Sequence, residues 1–129
     1  MKLIALAFAA CGAFVAVTTA TAVPFTGTTK LLDPPKAGTT VNVDVSVTTN
    51  SPVVAYEFAI QNECTVAGKP GRTIQHDDIV YWTSDVGGVP HATMPIYLQS
   101  IPGGSDCKVF LVKNNTVVKG STTPYSVVP

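Results

Sequence analysis

Between Thr40 and Thr49 the chain reads TVNVDVSVTT. Val41, Val43, Val45 and Val47 alternate with Asn42, Asp44, Ser46 and Thr48. A period of two places one face of an extended strand in a core and the other in water. β-branched valine and threonine also favour the pleated backbone, where their stiff χ1 costs little.

The neighbouring segments follow the same grammar. Downstream, Asn50-Ser51-Pro52 reads as a turn. Val53 to Gln61 then reads as a strand with Val54, Tyr56, Phe58 and Ile60 on one face and Glu57 and Gln61 on the other. Gly68-Lys69-Pro70-Gly71 marks a turn, and Arg72 to Trp82 a further strand weakened at its centre by His76, Asp77 and Asp78. Gly87-Gly88 breaks the chain again. Thr93 to Gln99 reads as a short strand, and Pro95 within it implies an edge or bulged position. After Pro102-Gly103-Gly104, Asp106 to Lys113 forms a strand, Asn114-Asn115 a two-residue hairpin turn, and Thr116 to Lys119 the return. Pro124 to Val128 is the last strand. Upstream, Phe25 to Leu32 is a first strand closed by Pro34-Pro35. No segment sustains a helical period. About seven short strands at this spacing predict an all-β, immunoglobulin- or fibronectin-III-like β-sandwich.

The first residues follow a different logic. Lys2 supplies a positive start, Leu3 to Val17 is an apolar run, and Ala20 and Ala22 set small residues at the spacing that signal peptidase reads. We expect a signal peptide over residues 1–22, cleaved after Ala22, and one sandwich domain over 23–129. The run is short for a membrane anchor, which needs about 20 apolar residues. The chain is 46 % hydrophobic by composition, a value that the leader inflates.

With the leader gone, Cys11 goes too, leaving Cys64 and Cys107. An even pair in an oxidising compartment predicts a disulfide. In an immunoglobulin-like order the third and sixth strands are antiparallel neighbours, which brings the two cysteines together. Their parity, Cys64 with Phe58 and Ile60 and Cys107 with Val109 and Leu111, aims both at one face, although Asn62 then falls on the inner side. Such a bridge stabilises by about 4 kcal/mol at most in the chain-entropy account.

Residues 23–129 carry seven Lys/Arg against eight Asp/Glu. There is no basic stripe for nucleic acid and no amphipathic helix for a membrane surface. His76, Asp77, Asp78 and His91 lack the local spacing of a metal chelate, and Asp77-Asp78 reads equally as a solvated strand edge. Glu57 and Glu63 read as surface charges rather than a glycosidase pair, and no Gly-x-Ser-x-Gly is present. The sequence implies no metal, no cofactor and no catalytic residue. The candidate ligand contacts are aromatic: Tyr81, Trp82, Tyr97 and Tyr125, with Trp82 placed more readily in the core. Asn114-Asn115-Thr116 is an N-glycosylation sequon in an accessible turn.

The run Pro95-Ile96-Tyr97-Leu98, Pro102-Gly103-Gly104-Ser105-Asp106, Val109-Phe110-Leu111-Val112, Gly120-Ser121 and Tyr125-Ser126-Val127 resembles the end of the fungal cell-wall synthesis and killer-toxin-resistance domain. Pro34-Pro35 and Gly38 also sit where that family places its Pro and Gly. The resemblance implies a fibronectin-III-like sandwich on a secreted wall protein, without catalytic residues. The chain departs from the family in lacking a Trp in Ser46 to Thr48, its Trp being Trp82, and in lacking a Ser/Thr-rich stalk and a lipid-anchor tail.

The expected function is therefore that of a secreted, non-enzymatic protein that binds at a cell wall or extracellular surface, with a wall polysaccharide or an extracellular protein as partner. The alternatives are a carbohydrate-binding module and a secreted effector or protease inhibitor, the last presenting Ala67 to Arg72 as its loop. Thiol titration of the denatured mature protein should find no free thiol; two would refute the disulfide.

Overall fold

A computed structural model of the chain describes residues 25–48, 57–86 and 89–129. The expected leader, the Asn50-Ser51-Pro52 turn, the Val53–Tyr56 part of the next strand and Gly87-Gly88 lie outside the described residues. The strands are β1 (Thr26–Leu31), β2 (Thr40–Thr48), β3 (Phe58–Thr65), β4 (Thr73–Ile79), β5 (Ser84–Val86), β6 (Val89–Tyr97), β7 (Asp106–Lys113), β8 (Thr116–Val117) and β9 (Thr123–Ser126). Among the described residues, no helix is long and apolar enough to cross a membrane.

Two antiparallel sheets form. The first runs β1-β2-β6-β5, and the second β4-β3-β7-β8 with β9 also on β7. This is the immunoglobulin-type division of strands, with β4 added to the edge of the second sheet. Val41, Val43, Val45 and Val47 are fully buried, as their alternation requires. They join Phe58, Ile60, Val109 and Leu111 of the opposite sheet in one core.

Strand count and several strand limits differ from the sequence reading, β3 running on to Thr65 instead of ending at Gln61. Nine strands form rather than about seven: Ser84–Val86 is an unexpected strand on β6, and the two expected C-terminal segments pair separately with β7 as β8 and β9. The strand expected from Thr93 begins at Val89 and lies between β2 and β5, not at an edge throughout. Pro95 is nevertheless tolerated for the reason that made it look like an edge residue. It stands opposite Asn42, whose carbonyl accepts from Leu32 N–H on the β1 side. Asn42 therefore turns its backbone polar groups away from β6. The Asn42–Pro95 pair is a non-hydrogen-bonded one, and the nitrogen of Pro95 points away from β2. There β5, which covers only Val89 to His91, has already ended.

Cys64 and Cys107 are bridged, directly opposite each other on β3 and β7 with Cα atoms 4.0 Å apart. The bond thus staples neighbours within one sheet. The layers themselves meet through side chains, and among the described residues the hydrogen bonds that join them lie at the margins. Along β1, Gly27 N–H donates to Lys119 carbonyl (3.0 Å), Thr29 Oγ1 to Ser121 carbonyl (2.6 Å) and Thr123 Oγ1 to Thr29 carbonyl (2.7 Å). At one end, Val128 N–H reaches Pro35 carbonyl (2.9 Å) and Ala37 N–H reaches Val128 carbonyl (2.8 Å).

Ser121 fills the gap between β8 and β9. Its buried hydroxyl accepts from Leu111 N–H (3.0 Å), which has no strand partner there, and donates to Val118 carbonyl (2.7 Å). The preceding hairpin turns on Asn114 and Asn115, with φ of 51° and 63°. Both are left-handed, as a type I′ turn demands, and asparagine tolerates them better than other side chains do.

Gly27 marks the closest approach of β1 to the second sheet. A Cβ there would meet Leu111 Cδ1, Ser46 carbonyl and Val118 Cγ1, each at 3.1 Å. Gly27→Val should therefore cost about 1–3 kcal/mol by overpacking, read as a lower urea midpoint at unchanged slope.

Candidate binding surface

The register of β3 and β4 places Asp78 opposite Ile60 and His76 opposite Asn62. Paired residues share a face, so His76 and Asp78 point to the same side as the core. They stay exposed because β4 is the outermost strand of its sheet. Beside them lies a small slot of about 90 Å³, lined by Ile60, Asn62, His76, Asp77 and Asp78 from one sheet and Pro95, Ile96 and Tyr97 from the other. It is well below the 300–1,000 Å³ typical of pockets for small molecules.

Asn62 floors the slot at 2 % exposure. Burying an amide is costly unless it is hydrogen-bonded, and here Tyr125 Oη donates to Asn62 Oδ1 at 2.5 Å. The Asn62 amide nitrogen lies 3.6 Å from Cys64 Sγ. Tyr125 stands opposite Cys107 on β9 and reaches across the inner surface of the sheet to do this. Burial pushes the Tyr125 hydroxyl up to about 12.

The four aromatic candidates are not gathered into one platform. Tyr81 is 63 % and Tyr97 46 % exposed. Trp82 packs against the core, edge-on to Phe58 with centroids 5.5 Å apart. Phe58 is in turn edge-on to Phe25 at 5.4 Å. The indole N–H of Trp82 is buried and finds no partner among the described residues. Tyr125 is half-buried and committed to Asn62.

The charged candidates are dispersed as well. His91 is on the first sheet, with Nδ1 3.4 Å from Asp44 Oδ1, while His76 is on the edge of the second. Among the described residues no three His, Cys, Asp or Glu side chains gather in a way that could hold a metal ion. Glu57 pairs with Lys113 (3.3 Å) and Glu63 with Lys108 (3.5 Å). Six residues of extended chain set these carboxylates about 20 Å apart, beyond the span of about 5–9.5 Å that a glycosidase pair uses. Asn114 is exposed on its turn.

The loop after β3 is ordered by its own backbone. Lys69 N–H donates to Val66 carbonyl (3.2 Å) and Arg72 N–H to Lys69 carbonyl (3.1 Å). Ser105 Oγ, fully buried, accepts from Ala67 N–H (2.9 Å) and ties the loop to the body. Gly68 to Thr73 are all exposed.

A further apolar feature was not singled out by the sequence. The pairings Ile79↔Ala59, Ala59↔Val112 and Val112↔Val117 align four residues in one row on the outer face of the second sheet. The row crosses four strands, about 14 Å. Ile79 is 45 % and Val117 50 % exposed. Phe110 lies in the next row of this face, with Lys108 Nζ 5.7 Å from its ring centroid. Each residue looked like an isolated apolar position in its own strand; only the register lines them up.

No family model matches the chain, and neither does any characterised protein or solved structure.

Because the folded Tyr125 holds its proton to a higher pH than the unfolded one, the unfolded state releases a proton first as pH rises past about 10. The Tyr125 contribution should be complete below pH 10 and fade as pH approaches 12. Tyr125→Phe should be less stable than wild type at pH 8, since Asn62 loses a partner worth about 1–3 kcal/mol. That deficit should shrink between pH 10 and 12, measured by guanidinium unfolding at each pH.

Proposed function

We propose that this is a secreted, non-catalytic β-sandwich that acts by binding at a cell wall or extracellular surface, through a sheet face rather than a pocket. The observation that carries the reading is the Ile79–Ala59–Val112–Val117 row. A contiguous apolar row with exposed ends at Ile79 and Val117, a half-buried Ala59 and a buried Val112 between them, rimmed by charges such as Asp77, Glu63 and Lys108, is the kind of surface that a protein partner covers. An extracellular protein is therefore the favoured partner. The disulfide fits an oxidising compartment, and the apolar leader and small-residue cleavage pattern at residues 1–22 support export. The resemblance of the C-terminal third to a fungal wall domain supports the same location.

A second reading, carbohydrate binding, is favoured by one specific arrangement. Tyr97 presents an exposed ring at the slot next to Asp77 and Asp78, and a ring beside carboxylates suits the apolar face and hydroxyls of a sugar. Its small volume limits it to part of one sugar unit.

One assay separates the two. Retention of the mature protein is measured on isolated fungal wall material and, separately, on insoluble glucan, chitin and cellulose. Ile79→Lys/Val117→Lys should lower wall retention at least tenfold, with stability shifted by about 0.5 kcal/mol or less because both sites are exposed. Purified polysaccharides should retain neither protein. Equal retention of the double variant and wild type on wall material counts against the sheet-face reading, and loss on polysaccharide with Tyr97→Ala alone would move the function to the slot.

A further inference from the structure

Most strand edges among the described residues are closed. The edge of β1 is spent on Lys119 carbonyl and Thr123 Oγ1. The edge of β6 is covered first by β5 and then blunted by Pro95, which has no N–H to offer. The remaining strands with a single partner are short, β5, β8 and β9 running three, two and four residues, and β4 is the long one. It pairs only with β3, runs seven residues and contains neither Pro nor Gly.

Its open groups can be named. Val80 N–H donates to Phe58 carbonyl and Val66 N–H to Arg72 carbonyl. Residues 72, 74, 76, 78 and 80 therefore turn their backbone polar groups toward β3, and residues 73, 75, 77 and 79 turn theirs outward. Ile79 N–H is capped by Asp78 Oδ1 at 2.9 Å. Thr73, Gln75 and Asp77 are left with outward N–H and C=O groups and no partner among the described residues.

We propose that this edge pairs with the same edge of a second copy, antiparallel, about a two-fold axis through Gln75. Such an interface is isologous and closes on itself. Gln75 stands opposite Gln75 of the second copy, and Thr73 opposite Asp77, twice, which gives about six ladder hydrogen bonds from three hydrogen-bonded pairs. Charge selects this register. On the neighbouring positions Arg72 of each copy falls opposite Asp78 of the other, and Ile74 opposite His76. Asp78 uses Oδ1 on Ile79, leaving Oδ2 for the guanidinium. Moving the axis to His76 would set the two His76 side chains against each other; moving it to Ile74 would set Arg72 against His76 and Asp78 against Pro70. Only the Gln75 axis joins both opposite-charge pairs. The apolar row starts on this same strand at Ile79, but the proposed ladder uses only Thr73, Gln75 and Asp77, so dimerisation does not depend on the function proposed above.

A single strand-to-strand ladder falls among small interfaces, below about 1,200 Å², and these form weak dimers. Sedimentation velocity of the mature protein from ~1 μM to ~1 mM, a range that spans weak association, should show a monomer passing to a dimer. Gln75→Pro removes two donors at the axis, and the monomer keeps its fold because that N–H faces away from β3; it should remain monomeric throughout. Arg72→Asp and Asp78→Arg should each be monomeric alone, through like charges opposed twice, and form a one-to-one heterodimer when mixed, since mixing restores both opposite-charge pairs. Circular dichroism of each variant reports its folding. A wild type that stays monomeric up to the highest concentration, or a Gln75→Pro protein that still dimerises, overturns the proposal. Variants that fold but fail to form the mixed dimer overturn its register.

Discussion

Four valines two residues apart on β2 face Phe58, Ile60, Val109 and Leu111, and most of the architecture follows from that contact. Burying one valine is worth about 1.5–3 kcal/mol, against a total stability of about 5–15 kcal/mol for a domain. The disulfide cannot substitute for it, because both sulfurs belong to the same sheet. Among the described residues, the polar links between layers run along the β1 margin and the Pro35–Ala37 end. The contact between β2 and the opposite sheet is apolar side chain against apolar side chain, so register in β2 is strongly specified. A slip of one residue would turn Asn42, Asp44 and Ser46 into the core.

Buried polar groups occur where the sheets depart from regular pairing. Ser121 occupies the gap between β8 and β9, where Leu111 would otherwise hold an unpaired amide. Ser105 receives the amide of Ala67 beneath the β3–β4 loop. Asn62 instead sits mid-strand on the inner face, and Tyr125 reaches past β7 to meet it. In each case a hydroxyl answers a backbone or amide group that a regular sheet would have left unsatisfied. The Gly120-Ser121 pair within the wall-domain resemblance thus has a structural reason independent of any ligand.

What could be read in advance was local. Alternation at Val41–Val47 gave β2 almost to the residue, the asparagine pair gave the type I′ turn, and parity brought Cys64 and Cys107 together. Three-residue β5 carries too little pattern to be seen, and Pro95 was read correctly in principle yet placed on the wrong kind of strand, since the nearby end of β5 is a tertiary fact. The surface was hidden for the same reason. Ile79, Ala59, Val112 and Val117 come from four strands, and no spacing along the chain connects them. Asn62 was visible as an inner-face anomaly, but Tyr125 as its answer was not, because the partner lies 63 positions away.

The placement of the disulfide also bears on survival against proteases. Cys64 and Cys107 bracket the exposed loop from Gly68 to Thr73, the kind of site where a protease cuts first. A nick after Arg72 would not release either piece. Both fragments would stay covalently joined beside the cut, with the two halves of the sandwich still pressed together, and a digested molecule could keep its shape until it met a reductant.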